Sequence, residues 1–134
     1  MSSIFSKIIA GEIPCYKVAE NDQFIAFLDI SPVAKGHTLV IPKTEIDYIF
    51  DIENSLYSEL FLFAKQVAIA LKKAVPCTKV GVSVIGLDVP HSHIHLVPIS
   101  QIQDINFEQE RLHFSIEEFN QLSNHISSIY KNLF

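Results

Sequence analysis

Between Pro90 and Pro98 the chain reads P-H-S-H-I-H-L-V-P, which places His91, His93 and His95 at every second position. Extended backbone puts alternate side chains on one face, ~7 Å apart along the strand. The spacing predicts a strand with three imidazoles on one side and Ile94 and Leu96 on the other. Such a strand needs an apolar layer beneath it and a polar site above it. Three of the chain's six histidines lie in this one stretch, and ordinary packing asks for no such alignment.

Three chemistries fit aligned imidazoles. Neighbours at i and i+2 can converge on one zinc, with His37 as a further ligand, but i and i+4 lie ~13 Å apart, too far to converge easily. Solvated histidines on an exposed face are the blandest alternative. Catalysis is the most economical, because a neutral imidazole is both a nucleophile toward phosphorus and a proton carrier near neutral pH.

The rest of the chain supplies the layer. "SIFSKIIAGEIP" begins as a short helix ended by Gly11. "CYKVAE" and "QFIAFLDI" read as a hairpin across a polar turn, and "HTLVIP" as a third strand stopped by Pro42. "TEIDYIFDI" reads as a short helical turn. From Ser55 to Ala74 the residues Leu56, Leu60, Phe61, Ala64, Val67, Ala68 and Leu71 recur three and four apart, the stripe of an amphipathic helix. "KVGVSVIG" and "HIHLVPI" are strands four and five. A last helix carries Ile116, Phe119, Leu122, Ile126, Ile129 and Leu133, and Ser115 with Glu118 has capping-box spacing. Strands joined by short turns, with one long helix between strands three and four and one at the end, predict an α+β antiparallel sheet rather than alternating α/β.

The chain has 134 residues, which suits one domain spanning 1–134. A net charge of −5 disfavours non-specific nucleic-acid binding. No apolar run approaches the ~20 residues that span a bilayer, and the N-terminus lacks a signal-peptide core. Two distant cysteines do not suggest secretion, so a reduced, cytoplasmic setting is expected.

"HSHIHLV" resembles the histidine-triad signature of the HIT superfamily, and "DISPVAKGHTLVIPK" at 29–43 resembles its second hallmark. "SIFSKIIAGEIP" is similar to the family's N-terminal segment. The likeness runs from about Ser3 to Pro98, with a C-terminal helix like that of bacterial members, and is nearest to the branch of Hint-type nucleoside phosphoramidases. The resemblance implies a HIT-like fold and a homodimer that joins two five-stranded sheets into one of ten. It implies a bound nucleoside monophosphate group such as AMP, no cofactor, and no nucleic-acid or membrane partner. His93 would be the nucleophile that carries a transient nucleotidyl group. His95 would contact the phosphate oxygens, His91 would orient the triad, and His37 would support the nucleophile's ring. Asp29 would accept from the ribose hydroxyls, and Ile4, Phe5, Ile8, Phe27 and Ile30 would line the base pocket. Read without the resemblance, those five apolar residues are core, Asp29 is a turn residue and His37 an ordinary strand-entry residue.

The chain departs from the family in places. Ser3 and Ser6 stand where some relatives place two zinc-binding cysteines, so no metal is expected. Gly86 is kept, Leu87 stands where Gln is common, and Asp88 where Ser or another polar residue sits. Ser83 is the nearest polar candidate for a missing Asn. These positions face the phosphate or leaving group in the family. Asp88 would repel a polyphosphate and attract an amine. The expected activity is hydrolysis of a purine nucleoside phosphoramidate or an adenylylated small molecule. The alternatives are a dinucleoside polyphosphate hydrolase, a nucleotide-binding regulatory module with little turnover, and a metallohydrolase. Past "VIPK" some relatives have another histidine that extends the His37 hydrogen-bond chain; Glu45, in that region, reads either as its replacement or, more simply, as a surface charge.

Overall fold

Five strands form one antiparallel sheet, as the segment pattern predicts. The computed structural model describes residues 3–134; Met1 and Ser2, which open the expected 1–134 span, lie outside the described residues. The strands are β1 (Lys17–Glu20), β2 (Phe24–Leu28), β3 (Thr38–Pro42), β4 (Lys79–Ser83) and β5 (Ile94–Ile99), in the order β1-β2-β3-β5-β4. Three helices accompany them: α1 (Ile4–Ile9), α2 (Asn54–Ala74) between β3 and β4, and α3 (Ile116–Leu133) at the end. The 44–52 segment contributes one 3₁₀ turn, Ile49–Asp51.

β2 and β3 are buried at every residue because both faces of the sheet are covered. On one face Ala26, Leu28, Val40, Ile94 and Leu96 join Leu60, Val67 and Leu71 of α2 and Phe119 and Ile126 of α3 in the main core. On the other, Ile25, Phe27, Leu39 and Ile41 pack with Phe5 of α1. Each large side chain so buried contributes roughly 1.5–3 kcal/mol against exposure. The period-two reading of β5 holds across this divide: Ile94 and Leu96 face α2, and His95 faces the α1 side opposite Leu39.

Helix starts follow their caps. Ser115 and Glu118 form the expected capping box of α3. At α2 the cap is Glu53, whose carboxylate accepts from the Ser55 and Leu56 N–H groups. The stripe of α2 is rotated from its expected centre. Phe63 and Ala70 are buried with Leu60, Ala64, Val67 and Leu71, while Leu56, Phe61 and Ala68 sit at the margin. In α3 the middle of the stripe is buried, and its end residues Ile116 and Leu133 are exposed.

One correction bears on the site. The fifth strand begins at Ile94, so His91 and His93 precede it instead of lying in it. Pairing with β3 ends at Val40 opposite Ile94, and pairing with β4 ends at Ser83 opposite His95. Without a ladder, the backbone of 91–93 finds other partners: the Ser92 N–H donates to the Ile46 carbonyl at 2.7 Å, and the His91 N–H to the Val89 carbonyl at 2.8 Å.

Candidate functional site

The loop entering β5, the loop between β2 and β3, and α1 meet on the α1 side of the sheet. The first brings His91 and His93, β5 brings His95, and the turn before β3 brings His37. Gly36 makes that turn possible. Its φ is +91°, and an added Cβ would meet Leu71 and Val75 at 3.0 Å and Pro98 at 3.2 Å. Glycine alone satisfies both constraints.

All four imidazoles are buried: His91 is 0% exposed, His37 and His93 1%, and His95 7%. That overturns the solvated alternative. Their hydrogen-bond partners fix the protons. The Val33 N–H donates to His37 Nδ1 at 3.1 Å. His37 therefore carries its proton on Nε2 and donates it to His95 Nδ1 at 2.9 Å. His95 in turn keeps its proton on Nε2, which is left to point into the site. His93 Nδ1–H donates to the His91 carbonyl at 2.8 Å, so its Nε2 lone pair is free. The His93 and His95 rings are 4.9 Å apart, centroid to centroid. His91 is turned away: its Nε2–H donates to the Pro42 carbonyl at 2.7 Å, and Nδ1 accepts from the Ser3 hydroxyl at 3.1 Å. Phe5 presents a ring edge contact to both His91 and His93, at 5.8 and 5.0 Å.

Burial favours the neutral form of His37, His95 and His91. It pushes His37 down to about 3, with His95, Arg111 and His93 adding to the effect. It pushes His95 down to about 4, with His93 and Arg111 adding and Asp88 opposing. His91 is also lowered by burial, against the Pro42 carbonyl and Glu45.

Beside the rings lies a cleft of about 140 Å³ lined by Ile4, Phe5, Ile8, Phe27 and Ile30, with Asp29 at its rim. The five residues expected at the base pocket thus converge, and Ile4 and Ile30 keep 49% and 69% exposure at the mouth. Ile13, Pro14, Cys15, Leu28 and Leu39 complete the wall. Their plain apolar or small character gave no sign of it. Asp29 accepts from the Ser31 N–H at 2.8 Å and has its other oxygen 3.7 Å from His37 Nε2. Its carboxyl is raised by burial.

The 84–90 loop covers the opposite side. Asp88 Oδ1 lies 3.6 Å from His93 Nε2 and stays largely in solvent. Ser83 is opposite His95 across the β4–β5 ladder and so shares its face. Gly86 supplies a left-handed turn, with φ +73°, rather than a contact. Leu87 is 91% exposed.

Two groups of residues escaped the sequence. Glu45 is a surface residue, yet its carboxylate accepts from the Ser3 N–H at 2.7 Å and the Ser6 hydroxyl at 2.8 Å. Those donors depress it to about 2. It therefore ties α1 to the His91 arm. Phe107, in a stretch without periodicity, sets its ring 4.6 Å from His95 and 5.7 Å from His37.

Among the described residues, Asp29, His37 and His95 bring one ligand atom each within 4.8 Å of one another. The facing nitrogens of His37 and His95 already share a proton, which a metal would have to displace. The set is built for hydrogen bonding. Around Ser3, Ser6, Glu45 and His91 the contacts are likewise hydroxyl, carboxylate and imidazole hydrogen bonds.

The fold and site define an α+β protein with a polyhistidine centre beside an apolar cleft. The HIT domain model matches residues 10–102, and the chain belongs to the HIT family. It is 34% identical over 132 residues to an uncharacterised HIT-like protein of Borreliella burgdorferi, covering 92% of this chain and 95% of that one. It is 36% identical over 103 residues to the adenosine 5′-monophosphoramidase of Schizosaccharomyces pombe, covering 73% of this chain and 74% of the relative. The crystal structure of a HIT-like protein from Bartonella henselae superposes with a TM-score of 0.83 at 29% identity, covering 96% of each chain. The expected family and the five-stranded fold are thereby met. No described helix is long and apolar enough to cross a membrane.

Proposed function

We propose that residues 1–134 act as one HIT domain that hydrolyses a nucleoside phosphoramidate, or a similar adenylylated small molecule, through a nucleotidyl-histidine intermediate. The observation that carries this reading is the proton arrangement: a free lone pair on His93 Nε2 beside a donor Nε2–H on His95. The phosphoramidase relative supports the substrate class.

In this reaction His93 Nε2 attacks the α-phosphorus. The P–N bond breaks, and the departing amine keeps the electron pair and takes up a proton at the solvent-facing mouth. The His95 Nε2–H donates to a phosphate oxygen as charge develops there. The phosphorylated imidazole becomes cationic, and the His91 carbonyl on its Nδ1–H stabilises that charge. Water then adds to phosphorus, the Nε2–P bond breaks, and the nucleoside monophosphate leaves. Asp29 accepts from the ribose hydroxyls, and the Ile4, Phe5, Ile8, Phe27 and Ile30 cleft takes the base. Ser83 and Gly86 border the phosphate. Asp88, beside the attacking nitrogen, favours a cationic amine over a polyphosphate as leaving group.

The reading includes a homodimer formed at β4. That strand lies at one edge of the sheet, paired within the chain to β5 alone. Val82 on β4 is 57% exposed, and an open apolar edge favours pairing.

Adenosine phosphoramidate and diadenosine polyphosphates should be offered to the metal-free chain, with AMP release followed. Release from the phosphoramidate, unaffected by chelator and lost in His93→Ala, is the expected result. Release mainly from the polyphosphates would replace this reading with the polyphosphatase, and AMP binding without turnover would replace it with a binding module. Light scattering checks the dimer, which Val82→Lys should dissociate.

A further inference from the structure

The 106–112 segment reaches the imidazoles from outside the family's two sequence hallmarks. Arg111 donates from Nη1 to the Ser31 carbonyl at 2.9 Å and from Nη2 to the Phe107 carbonyl at 3.0 Å. Its guanidinium carbon stands 5.8 Å from the Phe107 ring centre. The Leu112 N–H donates to the Pro32 carbonyl at 2.9 Å, and Gln109 Nε2 to the Val33 carbonyl at 3.4 Å. Three consecutive carbonyls of the β2–β3 turn, at Ser31, Pro32 and Val33, are thus held by this one segment. The other edge of the turn belongs to the site: the Ser31 N–H bonds Asp29, and the Val33 N–H bonds His37 Nδ1.

We propose that Arg111 is a positioning residue for the reaction assigned above, acting through the turn and through Phe107 on the His37–His95 pair. Its fork bridges two carbonyls that belong to different segments. One bond fixes the turn that aims the Val33 N–H at His37. The other fixes the backbone that lays the Phe107 ring on both imidazoles. Together they keep one proton order along the chain from Val33 through His37 to His95, and so keep the His95 Nε2–H directed at the phosphate. A lysine carries the charge but lacks the planar fork that reaches both carbonyls at once.

The guanidinium charge acts in the same direction. His37 and His95 face Arg111, His93, Asp29 and Asp88; the cation disfavours imidazolium at both rings, while the carboxylates favour it. Removing the cation should raise the pH at which His95 titrates.

The proposal rests on the hydrolase reading for its purpose, but its test does not. Histidine ring nitrogens would be followed by ¹⁵N NMR in the full chain, across pH, for wild type, Arg111→Met and Arg111→Lys. Wild type should show a single Nε2–H tautomer at His37 and His95. Arg111→Met should show mixed tautomers there, a higher titration point for His95, and unchanged His91 and His93 signals. Arg111→Lys should restore the titration point while leaving the tautomers mixed. Turnover of adenosine phosphoramidate should fall on the order of ten- to a hundredfold in kcat for the Met variant, with KM nearly constant. Unchanged tautomers and titration in Arg111→Met would overturn the assignment. Should that variant fail to fold, Arg111→Lys decides alone: mixed tautomers support the fork, and a wild-type spectrum with wild-type kcat overturns it. If wild type turns over no phosphoramidate, the hydrolase reading fails while the spectra still decide the role of Arg111.

Discussion

Two hydrogen-bonded arms flank His93, and they are built differently. The His37–His95 arm is enclosed from end to end, starting at a backbone N–H and finishing at a ring N–H aimed into the site. The His91 arm runs the other way. Its ring donates into the Pro42 carbonyl, and its far side reaches the surface through Ser3, Ser6 and Glu45. In the proposed reaction the first arm delivers a donor to the phosphate. The second delivers only a backbone carbonyl, the one that holds His93 Nδ1–H. The difference teaches that three identical side chains at even spacing need not share a task. In the proposed reaction the His37–His95 arm serves the chemistry, while the His91 arm anchors a loop and a helix.

Acid should separate the arms most strongly. His37 and His95 are neutral in the fold down to about 3 and about 4, whereas unfolded histidine protonates near 6.5. Below that value the unfolded chain takes up protons that the native rings refuse, so stability falls as pH falls. Each ring contributes a slope of up to ~1.4 kcal/mol per pH unit until its own folded value is reached. Urea unfolding between pH 7 and 4.5 checks this. A flat profile would mean that these rings are protonated in the fold and that the tautomer chain is wrong.

Gly36→Ala strikes the same arm through its backbone. A side chain at φ +91° carries roughly 1–2 kcal/mol of strain, and crowding against Leu71, Val75 and Pro98 adds about 1 kcal/mol or more. The expected loss is about 2–3 kcal/mol of unfolding free energy, read as a lower urea midpoint, with turnover reduced in the folded fraction because His37 moves with the turn.

Much of this was legible because periodicity reports burial. The alternation of β5, the stripe of α3 and the cap at Ser115 were each written in local residue order. The same logic blurred where burial depends on distant partners. Phe63 and Ala70 lie within one turn of the expected α2 stripe, and only the sheet and α3 decide which edge is covered. The placement of His91 and His93 before the strand depended on where β3 and β4 stop pairing. Phe107 and Arg111 left no periodic mark, since an irregular segment reaches its partners one contact at a time. Glu45 read as a surface charge and is one, but its partners on α1 are 42 and 39 residues away.

A more local cut sharpens the contrast. His37→Leu keeps an apolar volume but leaves the Val33 N–H and His95 Nδ1 without partners. An orphaned buried group costs about 1–3 kcal/mol. The His95 proton would no longer be held on Nε2, so kcat should fall on the order of tenfold or more with substrate binding little changed. A KM defect without a kcat defect would move His37 from proton order to binding.

The smallest effect on turnover is expected on the His91 arm. Ser3→Ala removes the hydroxyl that donates to His91 Nδ1 and accepts from the Ser6 N–H, while Glu45 still holds the Ser3 N–H. A loss of about 1–3 kcal/mol follows from leaving one buried acceptor without its donor, with kcat within a few-fold of wild type. The His91–Pro42 bond stays in place, and with it the carbonyl that orients His93. If Ser3→Ala instead matched His37→Leu in kcat, the placing of the His91 carbonyl that holds His93 would depend on the Ser3 contact, and the two arms would act as one unit.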